Sequence, residues 1–201
     1  MATPESNNPT ATARGTSPTS RTPEVVSVIS PAAARALAVM RIAIGFVFLW
    51  AFVDKLFGLH YSTSSAGAWI NGGSPTKGFL SGVAVGPFQS LFHSFAGAPW
   101  ADWLFMAGLL GIGVAMIAGV AMRVAAASGV LLLAFMWLAA YPLAQFTSAG
   151  AATRSTNPIV DDHFINALVL IVVALTGAGA TWGLGKQWAR VPFVAAHPWA
   201  R

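Results

Sequence analysis

Side chains that exchange protons or bind ions are concentrated in a few short stretches of this 201-residue sequence. Carboxylates and imidazoles are common general acids and bases, and lysine and arginine bind anions. The central parts of the apolar runs between these stretches carry no such group, which argues against a proton or ion pathway through a helical bundle. The group comprises Asp54, Lys55, His60, Lys77, His93, Asp102, Arg154, Asp161, Asp162 and His163, followed by Asn166.

Asp54 and Lys55 are adjacent charges at the edge of a long apolar run. A charge at the edge of a membrane helix is energetically costly unless it is paired with an opposite charge or has a function. Neighbouring residues point in directions about 100° apart around a helix. We therefore predict that one residue faces the bundle and the other the lipid headgroups. In the functional interpretation Asp54 accepts a proton and Lys55 holds an anionic substrate. In the structural interpretation the pair is an interfacial anchor with a local salt bridge.

Asp161, Asp162 and His163 precede another apolar run. Aspartate is a good helix cap and carboxylates favour the positive end of the helix dipole, so capping alone explains both aspartates. Capping explains His163 less well. We predict that His163, Asp162 and Asn166 form a small polar surface, called the polar ledge, that is suited to proton exchange with a quinone. The predicted catalytic residues are therefore Asp54, Asp162 and His163.

The predicted substrate-binding residues have cationic, aromatic or amide side chains in the same stretches. No metal site is predicted, because adjacent positions such as Asp162 and His163 diverge on a helix and no further ligands follow at a characteristic spacing. The predicted binding set is Lys55, Lys77, Arg154, Trp69 and Asn166.

The absence of cysteine narrows the range of cofactors. It excludes disulfides, thiolate metal sites, iron–sulfur ligation and covalently attached haem. All four histidines fall in predicted loops, tails or helix edges, so a haem held inside the bundle is not expected either. The basic residues are scattered without stacking aromatics, so we expect no nucleic acid binding despite the net charge of +5. The expected electron acceptor is a quinone.

The elements that position these groups are predicted to be membrane helices. Only 8% of residues are charged and 56% are hydrophobic, with a mean hydropathy of +0.66, a balance that favours a bilayer over water. The sequence therefore predicts an all-α membrane protein with a four-helix transmembrane bundle. A disordered cytoplasmic tail is expected at 1–34, the bundle at 35–190 and a cytoplasmic C-terminal tail at 191–201. The predicted spans are 36–59, 103–122, 124–141 and 162–182.

The basic residues also predict the orientation. Eight lie on the side of the two termini and three on the other side, which places both termini in the cytoplasm of a plasma (inner) membrane protein. The first outer segment is expected to carry a short amphipathic helix from Pro87, lying in the outer interface, with a re-entrant loop as the alternative. Gly111, Ala115 and Gly119 recur on one face of the second span and predict close helix packing.

Four segments of the chain resemble the DoxX/DoxD family, and specifically the large membrane subunit of thiosulfate:quinone oxidoreductase. Together they cover about 35–190. The segments are GGSPTKGFL at 72–80, ADWLF at 101–105 leading into a glycine-rich span, NPIVDDH at 157–163 and TGAGATWGLG at 176–185.

The resemblance implies a four-helix bundle in the plasma membrane and, for DoxD members, electron transfer from thiosulfate to quinone with a second, small subunit. The expected function is that of a membrane subunit of a quinone-linked oxidoreductase, which oxidises thiosulfate or a related sulfur anion at the outer face. The alternative is a non-catalytic membrane anchor for a soluble redox enzyme. Expected partners are membrane lipid and the small subunit or soluble enzyme, and a homo-oligomer is also considered. A transporter is disfavoured because the middle of each predicted span has no charged residue and the sequence has no recognisable internal repeat.

Overall fold

The computed structural model describes residues 29–153 and 155–201. Within these ranges the chain is helical and contains no β-strand, although an isolated bridge joins Phe146 to Ala152. The α-helices, in chain order, are α1 (Pro31–Phe57), α2 (Lys77–Ser81), α3 (Gln89–Phe95), α4 (Pro99–Ala118), α5 (Met122–Ala140), α6 (Asp162–Leu175), α7 (Gly185–Trp188) and α8 (Pro192–Ala196).

The first helix begins inside the predicted disordered tail. Pro31 occupies its first turn, where the missing N–H would have no intrahelical acceptor, and Ser30 caps it by accepting a hydrogen bond from the Ala33 N–H at 3.2 Å. The prediction of disorder up to residue 34 is therefore wrong for residues 31–34. Residues 1–28, the rest of that prediction, lie outside the described ranges.

Three helices are long and apolar enough to cross a membrane: α1 with 27 residues, α4 with 20 and α5 with 19. At 1.5 Å per residue, α4 and α5 nearly match a hydrocarbon core of about 30 Å, and α1, at about 40 Å, is longer than that core. Helix α6 has only 14 residues and ends at Leu175, short of the predicted limit at 182. The helix stops because Gly177, just beyond its last turn, adopts a positive φ of 65° that a helix cannot continue through. These features indicate an α-helical membrane protein.

Helices α1, α4, α5 and α6 form a closed ring. In it α1 packs against α4 and α6, and α5 packs against the same two helices. Large apolar side chains fill the centre, and others remain exposed on the outside, as expected for helices in contact with lipid. The central residues include Ile44, Phe48, Met106, Leu109, Ile112, Met116, Leu133, Leu170 and Val173.

Helices α1 and α4 approach closely at two glycines. A methyl group at Gly113 would lie 2.7 Å from the Leu49 nitrogen, and one at Gly45 would lie 2.8 Å from Ile117 Cγ1. Gly111 belongs to the small-residue face that the sequence placed at a helix contact, yet it is exposed and a methyl there would meet nothing within 4 Å. The close contact between α1 and α4 therefore lies on a neighbouring face of α4. Gly119, at the end of the predicted face, does approach another backbone closely, since a methyl group there would lie 2.9 Å from the Gly179 Cα in the turn after α6.

Gly113→Ala is expected to destabilise the protein by about 1–3 kcal/mol, because its methyl group collides with backbone that cannot move independently. The matched control is Gly111→Ala, two residues away on the same helix, which should be neutral or stabilising by up to about 1 kcal/mol. Unfolding of the detergent-solubilised variants measures both effects. Equal stability of the two variants would contradict the proposed contact.

The two long connections of the chain, residues 58–98 and 141–161, meet at one end of the bundle and are called the rim below. The Ser148 N–H donates to the Ala84 carbonyl at 3.1 Å, and the ring of Tyr141 lies against Gly86. Helix α3 lies in the first connection and begins two residues after Pro87. Its Phe92 is buried in a small apolar cluster, whereas Leu91 and the N-cap residue Phe88 are exposed.

The opposite end, called the basal end, is formed by the turn between α4 and α5 and by residues 185–201. The Arg123 N–H donates to the Arg201 backbone oxygen at 2.7 Å, and the Trp188 indole donates to the Ala200 carbonyl at the same distance. Val194 on α8 is fully buried. The predicted C-terminal tail, 191–201, is thus folded against the bundle.

Candidate functional site

A cavity of about 350 Å³ opens at the rim, where α5 ends and α6 begins. It contains the densest group of titratable side chains in the described part of the chain. Two of the three predicted catalytic residues, Asp162 and His163, line it. The full lining is Ala140, Pro142, Thr153, Ser155, Thr156, Asn157, Val160, Asp161, Asp162 and His163.

Within this cavity His163 is paired with Asp161. Its Nδ1 lies 2.8 Å from Oδ2 of Asp161 and 3.6 Å from Oδ1 of Asp162. A carboxylate accepts the hydrogen bond when Nδ1 carries the proton, which leaves Nε2 as the second exchangeable position of the ring. The side chains of His163 and Asp161 are only 15% and 20% exposed, whereas that of Asp162 is 83% exposed.

Local helix chemistry explains the pairing. Asp161 is the N-cap of α6, and its Oδ1 accepts the Phe164 N–H at 3.0 Å. Capping uses one carboxylate oxygen and points the other at the ring two residues on. From the sequence, capping alone explains Asp161, and the predicted catalytic set does not include it. The feature that could have predicted the Asp161–His163 pair is a cap residue followed two positions later by a histidine.

The opposite wall of the cavity is a loop held rigidly by its own polar side chains. Asn157 Oδ1 accepts the N–H groups of Ile159 and Val160, each at 2.9 Å. Ser155 donates to the Pro142 carbonyl at 2.6 Å, and Thr153 donates to the Ala144 carbonyl at 2.7 Å. Arg154, a predicted binding residue that follows Thr153 in the sequence, lies outside the described residues.

The three titratable groups are also close enough to hold a cation. One ligand atom from each of Asp161, Asp162 and His163 lies within 4.8 Å of the others, although adjacent positions were expected to diverge. However, Nδ1 of His163 is already engaged by Asp161, and exposed acidic groups often cluster without a metal. We therefore describe the arrangement as an oriented histidine–carboxylate pair.

Asp54, the third predicted catalytic residue, is buried elsewhere in the rim and holds the chain that follows α1. Its carboxylate accepts the Tyr61 N–H at 3.2 Å, the Ser62 N–H at 3.0 Å and the Ser62 hydroxyl at 2.7 Å. Its side chain is 1% exposed. These bonds satisfy a buried carboxylate without a cation and fix the start of the first connection.

Lys55 and Trp69 take part in packing at the same end. Lys55 Nζ lies 3.5 Å from the Ser62 hydroxyl and 5.9 Å from the centre of the Phe105 ring. Trp69 packs edge to face on Trp103 with ring centres 4.6 Å apart. Asp54 faces the interior as expected, and Lys55 is half-buried, but both side chains contact Ser62. The contact of Lys55 with lipid headgroups stays a prediction.

Lys77 is presented by a loop that Asp102 anchors. Oδ1 of Asp102 accepts three hydrogen bonds, from the Ser74 hydroxyl at 2.9 Å, the Thr76 N–H at 2.9 Å and the Thr76 hydroxyl at 2.6 Å. Thr76 is buried and the Lys77 side chain is exposed. The loop thus holds a cation at the surface of the rim.

The predicted site residues therefore do not form one cluster but lie at different places in the rim. Asp162 and His163 share the cavity, while its described lining includes neither Lys55 nor Lys77. Asn166 is half-buried one turn into α6 and also lies outside that lining.

Arg41 is a polar centre whose role the sequence did not reveal. It is fully buried at the basal end, and its guanidinium donates to backbone carbonyls at the end of α4 and in the turn after α6. Nη1 bonds the carbonyls of Met116 and of Ile117, the latter at 2.6 Å. Nη2 bonds those of Thr181 at 3.3 Å and Trp182 at 3.0 Å. The cation thereby caps the negative end of α4.

Comparison with known proteins found no family model, no curated protein and no solved structure that matches this chain.

Proposed function

We propose that this chain is a membrane subunit of a quinone-linked oxidoreductase that oxidises thiosulfate or a related sulfur anion. The observation that carries the proposal is the His163–Asp161 pair, which lies in a rim cavity at the end of a ring of apolar helices. A half-buried imidazole oriented by a carboxylate is suited to proton exchange with a bound molecule. A quinone partitions into lipid and reaches such a cavity from between the helices.

The proposed topology has four crossings in the plasma membrane with both termini in the cytoplasm. Helices α1, α4 and α5 are long enough to cross alone, and α6 would complete its crossing with the turn that follows it, up to about Trp182. The charges favour this orientation. The four acidic side chains of the described residues all lie at the rim, and most basic residues lie at the basal end, which would face the cytoplasm. Helix α3 would then lie in the outer interface.

The acidic character of the cavity suits a neutral acceptor. Reduction of a quinone to a quinol takes up two electrons and two protons. Asp162 is exposed and would collect protons from water, and His163 would pass them to the quinone oxygen from Nε2, while Asp161 holds the ring in place. An anionic sulfur compound would be repelled by the two aspartates, so we assign the donor to the part of the rim that carries Lys55 and Lys77, which are not in the lining of this cavity.

The donor would be bound by the cations Lys55, Lys77 and Arg154. Two thiosulfate anions each lose one electron and join through a new sulfur–sulfur bond, and these two electrons reduce one quinone. The anions repel one another, so cations that neutralise them lower the barrier to coupling. Trp69 and Asn166 complete the proposed binding set. Asp54 would handle protons only if its three hydrogen bonds open.

A second function, that of a non-catalytic anchor, is favoured by the buried carboxylates of the rim. Asp54 and Asp102 each fix a loop with three hydrogen bonds, which makes the rim a firm platform for docking a small subunit or a soluble redox enzyme. A pull-down from native membranes distinguishes the two functions. An anchor recovers a stoichiometric partner and loses all activity when that partner is removed.

The test of the catalytic proposal is quinone reduction by the purified chain with a panel of sulfur donors. Lys77→Ala is expected to raise the KM of the donor about three- to fivefold, which is the contribution of one exposed charge contact. Lys186→Ala is the matched control, because it removes an exposed lysine from the basal end and should leave the KM unchanged. The proposal fails if no donor supports quinone reduction and Lys77→Ala has no effect.

A further inference from the structure

A second cavity, of about 270 Å³, lies at the basal end, between the start of α5, the end of α6 and the C-terminal segment. Arg123 and Arg201 both line it, together with Trp188 and Leu175. Both arginines are exposed, and Leu175 at its edge is an apolar side chain with 78% exposure. The cavity therefore combines two cations with an apolar margin.

The described charged side chains around this cavity are all basic. Five exposed basic residues occupy the basal end, whereas the acidic side chains of residues 29–153 and 155–201 all lie at the rim. Such a one-signed surface attracts anions. The five are Arg35, Arg123, Lys186, Arg190 and Arg201.

The arginines retain capacity to bind an anion. The Arg123 guanidinium uses Nη1 to donate to the Pro198 carbonyl at 3.0 Å, and a guanidinium has five N–H donors. Its backbone N–H holds the Arg201 backbone oxygen, which fixes the two residues side by side at the cavity. A planar fork of donors matches the geometry of phosphate oxygens.

Aromatic residues at the same end place the cavity at the level of lipid headgroups. Trp182, Phe193 and Trp199 are each more than half exposed. Tryptophan is enriched at the boundary between hydrocarbon and water, because its ring is apolar and its N–H is polar. Val172 and Leu175, exposed on the last turn of α6, continue the apolar surface away from the cavity, as an acyl chain requires.

We propose that the basal cavity binds the phosphate headgroup of an anionic phospholipid, with Arg123 and Arg201 as the phosphate ligands and the acyl chains along the end of α6. The exposed apolar margin favours a lipid over free phosphate, because a soluble anion gains nothing from it. The proposal is independent of the quinone chemistry assigned to the rim.

The test titrates the detergent-solubilised full chain with phosphatidylglycerol, phosphatidylcholine or inorganic phosphate, and measures the apparent Kd by native mass spectrometry. Arg123→Gln and Arg201→Gln are each expected to raise the Kd for phosphatidylglycerol about fivefold, since one basic residue near an anionic headgroup contributes about that factor. Arg190→Gln is the matched control, because it removes an exposed basal charge that does not line the cavity. It should leave the Kd unchanged.

Three results would overturn the proposal. They are equal binding of phosphatidylcholine, inorganic phosphate binding as tightly as phosphatidylglycerol, and an Arg190→Gln effect as large as that of the cavity variants. Arg123→Gln also removes the bond to Pro198 and loosens the C-terminal segment. Arg201→Gln keeps the backbone bond between the two residues, so a loss of lipid in that variant is a loss of the side-chain charge.

Discussion

Quinone reduction is expected to fall by about 10²- to 10³-fold when His163 is replaced by glutamine, the range typical of a lost general acid or base. Glutamine keeps polar atoms near Asp161 but cannot carry a proton between two partners. The loss should appear in kcat, with the KM of the sulfur donor unchanged, because Lys55 and Lys77, the proposed donor cations that the structure describes, lie outside the lining of this cavity. Steady-state kinetics with a soluble quinone analogue and a saturating donor measure the two parameters.

Two further variants separate catalysis from folding. Asp161→Asn retains a good N-cap but removes the carboxylate that orients the ring, so a smaller loss than that of His163→Gln is expected. His60→Gln is the control, because His60 is an exposed rim histidine that bonds Ser65 and does not line the cavity. Wild-type activity in His163→Gln, or an equal loss in His60→Gln, would contradict the assigned role.

The apolar runs predict the helices well where a run is long and its ends carry strong signals. Helix α5 ends next to the predicted limit because Pro142 cannot continue it, and α4 turns into α5 within a few residues. The end of α6 is a different case. Residues 176–182 are apolar enough to extend a span, but Gly177 takes a positive φ and the following turn packs on α4, with the Leu184 N–H bonded to the Ala118 carbonyl. Hydropathy does not record such a tertiary contact.

The sequence predicts two residues that line the candidate cavity, Asp162 and His163, but neither the pairing of His163 with Asp161 nor the absence of Asn166 from the lining. The position of Asp162 and His163 before an apolar run indicated a polar ledge, and the structure places both in one cavity. The choice of Asp161 as the partner of His163 depends on the cap geometry, which directs one oxygen to the ring and the other to the helix N–H. For Asp54, spacing along a helix predicts a charge at its edge but not the chain that folds back to satisfy it.

The spacing of small residues in α4 also predicts the structure only in part. Gly111, Ala115 and Gly119 share a face by their spacing, but the face that meets α1 is set by the whole ring of four helices. Gly113 and Gly45 lie at that contact instead. A pattern within one helix predicts that close packing occurs, whereas the partner helix determines which glycine is needed.

Arg41 has a role that the distribution of basic residues does not predict. The sequence counts it only as one of the basic residues on the side of the termini. In the structure it is fully buried and bonds four carbonyls from two segments that are distant in sequence. Those segments are the end of α4 and the turn after α6, so one side chain of α1 joins three of the four helices.

Arg41→Met is therefore expected to destabilise the protein by about 4 kcal/mol, because each of the four carbonyls left without a donor carries a penalty of about 1 kcal/mol. The corresponding fall in Tm for a chain of this length is about 8–16 °C. Arg41→Lys should lie between Arg41→Met and the unmodified chain, since an ammonium lacks the planar fork that reaches both pairs of carbonyls. Thermal unfolding of the detergent-solubilised variants measures the series.

Arg35→Met is the control for this series, because it removes an exposed arginine from the same helix and should change stability by no more than about 0.5 kcal/mol. The four hydrogen bonds from the Arg41 guanidinium to backbone carbonyls are called the carbonyl clamp below. If Arg41 acts only as a charge at the basal end, both methionine variants will have the same stability and the clamp does not stabilise the protein. If the clamp joins the helices, loss of Arg41 will also speed amide exchange at Leu184, whose N–H bonds the Ala118 carbonyl beside the clamped turn. Local exchange at that position therefore separates a lost clamp from a lost surface charge.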